Sequence, residues 1–181
     1  MHNPNILDIW IHELVPTNVE VGRVEVILIP NQAQTPVPLR STQECLIYGS
    51  NLPFGLQVMN RGPYHLFVYV FYFDPNDYSV TPLYLPPSSS VAPLPYNGEL
   101  TIGYGSSGAQ PLAFSIDDRL SQDTGFIKVY YSTVFSEMCF IQQDGFDEQR
   151  GSRSGDGCRW STLPFGSITY PITVLNPNSR R

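Results

Sequence analysis

The stretch Tyr64–Phe73, YHLFVYVFYF, constrains the fold of this chain more than any other segment. Almost all of its ten residues are aromatic or β-branched, and such residues favour strands. A near-continuous apolar run of this length predicts a strand that is buried on both faces. The following DPND is typical of a turn, because Asp and Asn bond their own backbone and Pro75 fixes φ. We therefore expect YSVTPLYL to return as the hairpin partner of this strand.

The rest of the chain is divided by 17 prolines and 14 glycines into short alternating segments, a pattern typical of all-β proteins. We predict a single antiparallel β-sandwich of about eight strands, with at most one short helix near Ser136–Gln143. It forms one domain over residues 1–181, with a mobile loop at 144–159 and a tail at 176–181. Strands are expected, among other places, at Asn5–Val15, at Asn18–Pro30 with a bulge or bend at Gly22, before Asn60, and in PLAFSID after Gln110.

Period-two alternation also predicts which side chains form the core. The residues expected to be largely buried are Val68, Val70, Tyr72, Phe114, Ile116, Ile127 and Val129.

The charge of the chain excludes several classes of partner. Charged residues make up only 14%, the net charge is −6, and Lys128 is the only lysine. Without a basic stripe to neutralise phosphates, nucleic-acid binding is not expected, and an acidic surface disfavours anionic membranes. No apolar run approaches the ~20 residues of a membrane span, and the first residues lack a signal-peptide pattern. We expect a soluble, cytoplasmic protein.

The three cysteines, Cys45, Cys139 and Cys158, do not form the even, spaced set of a disulfide framework. They are expected to be reduced, which fits a cytoplasmic protein. Pairing of Cys139 with Cys158 remains open.

One motif suggests nucleotide chemistry. Gly103, Gly105 and Gly108 have the G-x-G-x-x-G spacing that holds a dinucleotide pyrophosphate, and Asp123 stands where a ribose-binding carboxylate would be. The motif requires a buried strand before it and a helix after it, whereas QPLAFSID follows with strand alternation. We predict a tight glycine-rich turn with positive-φ glycines that binds no nucleotide.

Metal sites are not supported by the histidines and carboxylates. His12-Glu13 begins like H-E-x-x-H, but Pro16 stands at the second histidine position. Asp74, Asn76 and Asp77 resemble the start of a calcium loop, but the glycine and closing glutamate of an EF-hand are absent. We expect no metal and no cofactor.

Catalytic signatures are also missing. In GSRSG, Arg153 occupies the nucleophile position of G-x-S-x-G. His65 lies in the apolar strand, and Cys139 has no nearby histidine in sequence. We expect no catalytic residues and no enzymatic activity.

Tyrosines near turns are the candidate contact residues. Tyr104, Tyr78 and Tyr84 are the positions we select for contact with a ligand or partner, because aromatic loop residues anchor protein contacts and can stack on sugar rings. Alternatively, their rings pack at the rim of the core and their hydroxyl groups contact water.

Taken in order, the segments LFVYVFYFDPNDYSV, PPSSSVAPLP, LTIGYGSSGAQPLAFSIDD, DTGFIKVYYSTVFSEMCFIQQ and SITYPITVL resemble a known domain. It is the C-terminal accessory β-domain of mushroom-type fungal proteins with a caspase-like, metacaspase-related peptidase domain. The resemblance covers about Phe54 to Val174, without a peptidase domain or its catalytic motifs.

The resemblance implies a regulatory or interaction domain, with a caspase-like partner in fungal defence or cell death. An edge strand could accept a strand of that partner by backbone pairing. The alternative is a carbohydrate-binding β-sandwich, in which Tyr104 would contact the sugar. The sequence does not specify the oligomeric state.

Overall fold

The computed structural model describes residues 6–21, 23–48, 52–145 and 165–179. Within them the chain forms ten strands and two short 3-10 turns, the latter at Cys139–Ile141 and Pro177–Ser179. The strands are β1 (Leu7–Val21), β2 (Arg23–Pro30), β3 (Val37–Leu39), β4 (Cys45–Tyr48), β5 (Phe54–Asn60), β6 (Phe67–Phe73), β7 (Val80–Tyr84), β8 (Glu99–Ile102), β9 (Gln122–Ser132) and β10 (Phe165–Leu175). The all-β class is confirmed, and the 3-10 turn at Cys139–Ile141 lies within the segment Ser136–Gln143 where a short helix was expected. The second turn, at Pro177–Ser179, was not expected.

Two five-stranded sheets form the sandwich. The first has the order β2-β1-β5-β8, with β3 pairing to β1, and the second has the order β4-β10-β9-β6-β7. All pairs in the first sheet are antiparallel. In the second sheet β4 and β10 are parallel, and this pair is the one departure from the predicted antiparallel arrangement among the described strands. The reason is the crossover at residues 40–44, which carries the chain from β3 in the first sheet to β4 in the second.

The core lies between the two sheets and follows the alternation of their strands. Leu7, Ile9 and Ile11 of β1 point inward and are buried. Five of the seven side chains expected in the core are buried: Val68, Val70, Phe114, Ile127 and Val129. Tyr72 and Ile116 are partly buried against the same cluster.

Strand β6 is covered on both faces, as its apolar run predicts. Val68 and Val70 face the first sheet, while Phe67, Tyr69 and Phe71 form a second buried cluster with Met138 on the outer face. The Tyr69 hydroxyl accepts a hydrogen bond from the backbone N–H of Ser136 at 2.7 Å. The second cluster therefore fixes the segment after β9 across this face.

Three glycines provide space for tyrosine rings of neighbouring segments. A Cβ on Gly55, Gly125 or Gly166 would overlap, respectively, the ring of Tyr104, Tyr72 or Tyr131. Large rings placed over glycines shield the backbone and fix strand register.

The turns form as predicted. In the turn after β6, Asp74 Oδ1 accepts the N–H of Asn76 and Asp77 Oδ1 accepts the N–H of Ser79, both at 2.8 Å. In the glycine-rich segment, Gly103, Gly105 and Gly108 have φ of 85°, 70° and 71°, so the expected positive-φ turn is confirmed.

The prediction of a strand in PLAFSID is wrong, because this segment forms no strand. Leu112 makes only an isolated bridge with Phe54, and Pro111 has no N–H to donate to a ladder. The alternation arises from packing instead, because the Phe114 ring is buried and meets the Phe54 ring edge-on at a centroid distance of 5.5 Å.

Several expectations fall outside the described residues. They concern Gly22, the pairing of Cys158 and most of the loop at 144–159. At the start of the expected tail, Asn176 is buried and its amide donates to the carbonyl of Leu120 at 3.0 Å. Among the described residues, no helix combines the length and the apolar character that a membrane crossing requires.

Candidate functional site: the open edge of β10

Seven of the eleven residues of β10 have, on one side, no strand partner among the described residues. Its eleven residues pair with β9 from Phe165 to Leu175, but β4 pairs only with Ile172–Leu175. Residues 165–171 therefore leave one edge of the second sheet open within the described part of the chain. An edge of this kind presents a row of unpaired N–H and C=O groups.

Pro171 indicates which backbone groups face outward. Proline has no N–H to donate to a ladder. We therefore infer that the backbone N and C=O of Pro171 point away from β9. Because the backbone N–H and C=O groups of successive residues point to opposite sides of a strand, those of Ser167 and Thr169 also face outward. Those of Ile168 and Tyr170 face β9.

A groove of about 810 Å³ runs along this edge. It lies between β10 and the neighbouring edge of the first sheet, and its lining residues come from β1, β3, the crossover and β10. They are Leu7, Asp8, Ile9, Trp10, Pro38, Leu39, Arg40, Ser41, Thr42, Ser167, Ile168, Thr169 and Tyr170. We call this space, together with the unpaired edge, the β10 groove.

The charges in the β10 groove are not balanced internally. The Asp8 carboxylate accepts a hydrogen bond from Arg61 Nε at 2.9 Å, so this charge is paired. The exposed Arg40 makes no ion pair with any described carboxylate. Burial, and then Asp8 and Tyr131, raise the pKa of Tyr170, so its hydroxyl stays neutral at physiological pH. The charge in the groove that has no ion-pair partner among the described residues is thus the positive charge of Arg40.

The opposite edge of the second sheet is protected. In β7, Pro82 lacks a donor, and Val80 exchanges backbone hydrogen bonds of 2.8 and 3.1 Å with Gln143. Proline and covering loops are common protections of edge strands. The contrast between β7 and β10 makes the β10 edge the better candidate for a binding surface.

Tyr104 lies elsewhere, on the outer face of the first sheet. Its ring covers Gly55 and meets the His12 ring edge-on at 5.8 Å. Burial, followed by the charge of Glu99, raises the pKa of Tyr104 to about 12. Trp10 lies on the same face, two residues from His12 along β1 and opposite Gln57.

The other two candidate tyrosines, Tyr78 and Tyr84, do not share a surface with Tyr104. Tyr78 is 59% exposed, has φ of 62°, and follows the β6–β7 turn. Tyr84 is only 5% exposed and lies opposite Val70 in the second sheet. Its side chain belongs to the core and leaves little surface for contact with a ligand or partner.

A second groove of about 430 Å³ lies where the segment 110–115 passes β6 and β7. Tyr72 and Phe114 line it, together with the carboxylates of Asp74 and Asp123. Burial and the charges of Asp74, Asp123 and Asp77 raise the pKa of Tyr72 to about 12, which keeps its hydroxyl protonated at neutral pH.

The groups that could support catalysis or metal binding are dispersed. Among the described residues, no group of three or more His, Cys, Asp or Glu side chains is placed to hold a metal ion. Burial raises the pKa of the Cys45 thiol to about 11. The partly buried His12 has a lowered pKa, again chiefly from burial, and its Nε2 has no hydrogen-bond partner in the described structure.

No protein-family model, curated protein or solved structure matches the chain. The β10 groove was not found by sequence reasoning, because its walls come from three distant segments. The single signal was Pro171 inside an otherwise regular strand, which marks an edge.

Proposed function

We propose that the protein is a non-enzymatic interaction module that binds an extended segment of a protein partner as an added strand beside β10. The observation that carries this proposal is the edge at residues 165–171, which pairs with no described strand. In strand addition, main-chain hydrogen bonds supply affinity and alternate side chains supply specificity. Each such bond contributes a net ~0.5–1.5 kcal/mol, so several are needed for a useful complex.

The identity of the partner is the finer part of the proposal. The resemblance to the accessory domain of fungal caspase-like proteins supports a caspase-like partner and a regulatory role in defence or cell death, in the cytoplasm. Strand addition requires only an extended segment from such a partner, and it needs no catalytic group on this chain.

Affinity capture with edge variants tests the mode of binding. Thr169→Pro removes an outward N–H from the edge, and Pro171 shows that this edge accepts proline two residues away. Thr169→Val keeps the N–H and serves as the matched control. We expect the wild type and Thr169→Val to retain the same identified partner from a fungal lysate, and Thr169→Pro to lose it.

Circular dichroism of each variant shows whether the fold is intact. A partner that folded Thr169→Pro still retains would contradict strand addition at this edge. A retained partner unrelated to caspase-like proteins would contradict only the finer proposal.

A second candidate function is carbohydrate binding on the outer face of the first sheet. It is favoured by the placement of Trp10 and Tyr104 on one face, with the Gln57 amide donating to the Glu99 carboxylate at 2.7 Å between their strands. Aromatic rings could stack on sugar rings, while amide and carboxylate groups bond to hydroxyls. A glycan array decides this: saturable binding lost in Tyr104→Ala and kept in Tyr78→Ala would support it.

A further inference from the structure

We infer that the segment bound in the β10 groove is an extended stretch of about seven residues in which alternate side chains are apolar and at least one carries a carboxylate that pairs with Arg40. This inference rests on the proposed strand addition and defines the chemistry of the partner. Three features of the groove support it: its two unlike sides, its unpaired charge and its length.

The two sides of the β10 groove require different side chains. Ile168 and Tyr170 point toward the core, and Leu7, Ile9 and Leu39 line the same side of the groove. Residues of an added strand that point to this side would cover apolar surface. Ser167 is exposed and, like Thr169, projects to the other face of the sheet. Residues that point there meet hydroxyl groups and solvent, so an alternating pattern is favoured.

The charge of the groove selects an acidic partner. The whole chain has a net charge of −6, which by itself favours basic ligands. Within the groove, however, Asp8 is paired with Arg61, whereas Arg40 has no ion-pair partner among the described residues. A carboxylate on the bound strand would complement Arg40. Because exposed ion pairs are weak, we expect a preference of only about two- to fivefold at low salt.

The length of the bound segment is limited by β4. Among the described residues the edge without a strand partner runs from residue 165 to residue 171, and β4 occupies the same side of β10 from Ile172 onward. Seven extended residues span roughly 23 Å at ~3.3 Å each. A longer segment would have to leave the sheet where it meets Cys45, the first residue of β4.

The probe for this inference is a randomised heptapeptide display library selected against the full chain. We expect selected peptides to alternate apolar and polar residues and to be enriched in Asp or Glu. Their binding should be lost in Thr169→Pro and kept in Thr169→Val. Arg40→Glu should weaken the acidic peptides and, in a fresh selection, favour Lys or Arg. Arg119→Glu makes the same charge change outside the groove and should leave the preference unchanged.

The outcomes separate this inference from the proposed function. Peptides that need the Thr169 N–H but show no alternation, or no response to Arg40→Glu, overturn the inference and leave strand addition in place. A library that yields no binder sensitive to Thr169→Pro overturns both.

Discussion

The Tyr72 ring on β6 lies beside Gly125 on β9. It occupies the space that a Cβ at position 125 would need. A Cβ built on Gly125 would lie 2.8 Å from Cε2 of that ring and closer still to Cζ and the hydroxyl oxygen. Tyr72 pairs with Ile127, so the ring leans along β9 by two residues to reach the glycine. The ring also lines the groove at the segment 110–115, which ties strand packing to the shape of that surface.

Gly125→Ala should therefore destabilise the fold. The alanine methyl would push the Tyr72 ring from its place, and overpacking of this kind costs about 1–3 kcal/mol. The free energy of unfolding, measured by urea denaturation, gives the effect.

A double-mutant cycle provides the control for this prediction. If the ring is the cause, Gly125→Ala should cost much less in a Tyr72→Ala background, because contacting residues are not additive. Additive effects of the two substitutions would show that Gly125 is required for another reason.

Thiol reactivity should distinguish Cys45 from Cys139. Burial raises the pKa of Cys45 to about 11, and its side chain is buried, whereas Cys139 is exposed. At pH 8 a thiol with this pKa is about 0.1% thiolate, and the thiolate is the reactive form. In a Cys158→Ser background, iodoacetamide should modify Cys139 first and Cys45 only on unfolding. Mass spectrometry locates the label, and early labelling of Cys45 would contradict its burial.

The strands were largely predictable from the sequence, because alternation and turn residues act locally. The last seven residues of the ten-residue apolar run form β6, which is covered on both faces, and the hairpin to β7 follows the DPND turn. Strand β4 was missed, since four residues carry only two cycles of alternation. In the segment after Gln110, alternation reflected packing of Phe114 without a ladder.

The candidate site was much less predictable. Its walls combine Asp8, Arg40 and Ser167, which only the crossover from β3 to β4 and the pairing of β10 bring together. The tyrosines were predicted as contact residues because they lie near turns, and burial separates them: Tyr84 lies in the core and Tyr78 at the surface. A sequence pattern reports local periodicity, whereas a groove between sheets depends on long-range pairing.

Acidification through the histidine range should destabilise the protein through His12. Burial lowers the pKa of His12 below its ordinary 6.5, so the unfolded chain binds the proton more readily than the folded one. Above pH ~6.5 both states are neutral and the effect vanishes; as the pH falls below it, stability is lost, by at most ~1.4 kcal/mol per pH unit for one proton. Hydrogen bonds from Ser79 and Arg119 lower the pKa values of Asp77 and Asp117 from the ordinary value of an aspartate, so these groups do not titrate in the histidine range.

The measurement for His12 is urea denaturation between pH 5 and 8. In His12→Gln the slope of unfolding free energy against pH should flatten in this range. His65 is exposed, so His65→Gln is the matched control and should keep the wild-type slope. An unchanged slope in His12→Gln would assign the pH dependence to other groups.

Amide hydrogen exchange on β10 should alternate along the open edge, and this alternation is the most direct check of the proposed binding mode. The N–H groups of Ile168 and Tyr170 face β9 and should exchange only through opening of the sheet, whereas those of Ser167 and Thr169 face outward and should exchange at least about tenfold faster. Beyond Pro171 the alternation should disappear, because β4 covers the outward N–H groups of Thr173 and Leu175. When a strand binds, exchange at Ser167 and Thr169 should slow to the level of their neighbours. Equal protection at all four positions in the unbound chain would mean that the edge is already paired, and no partner strand could then bind there.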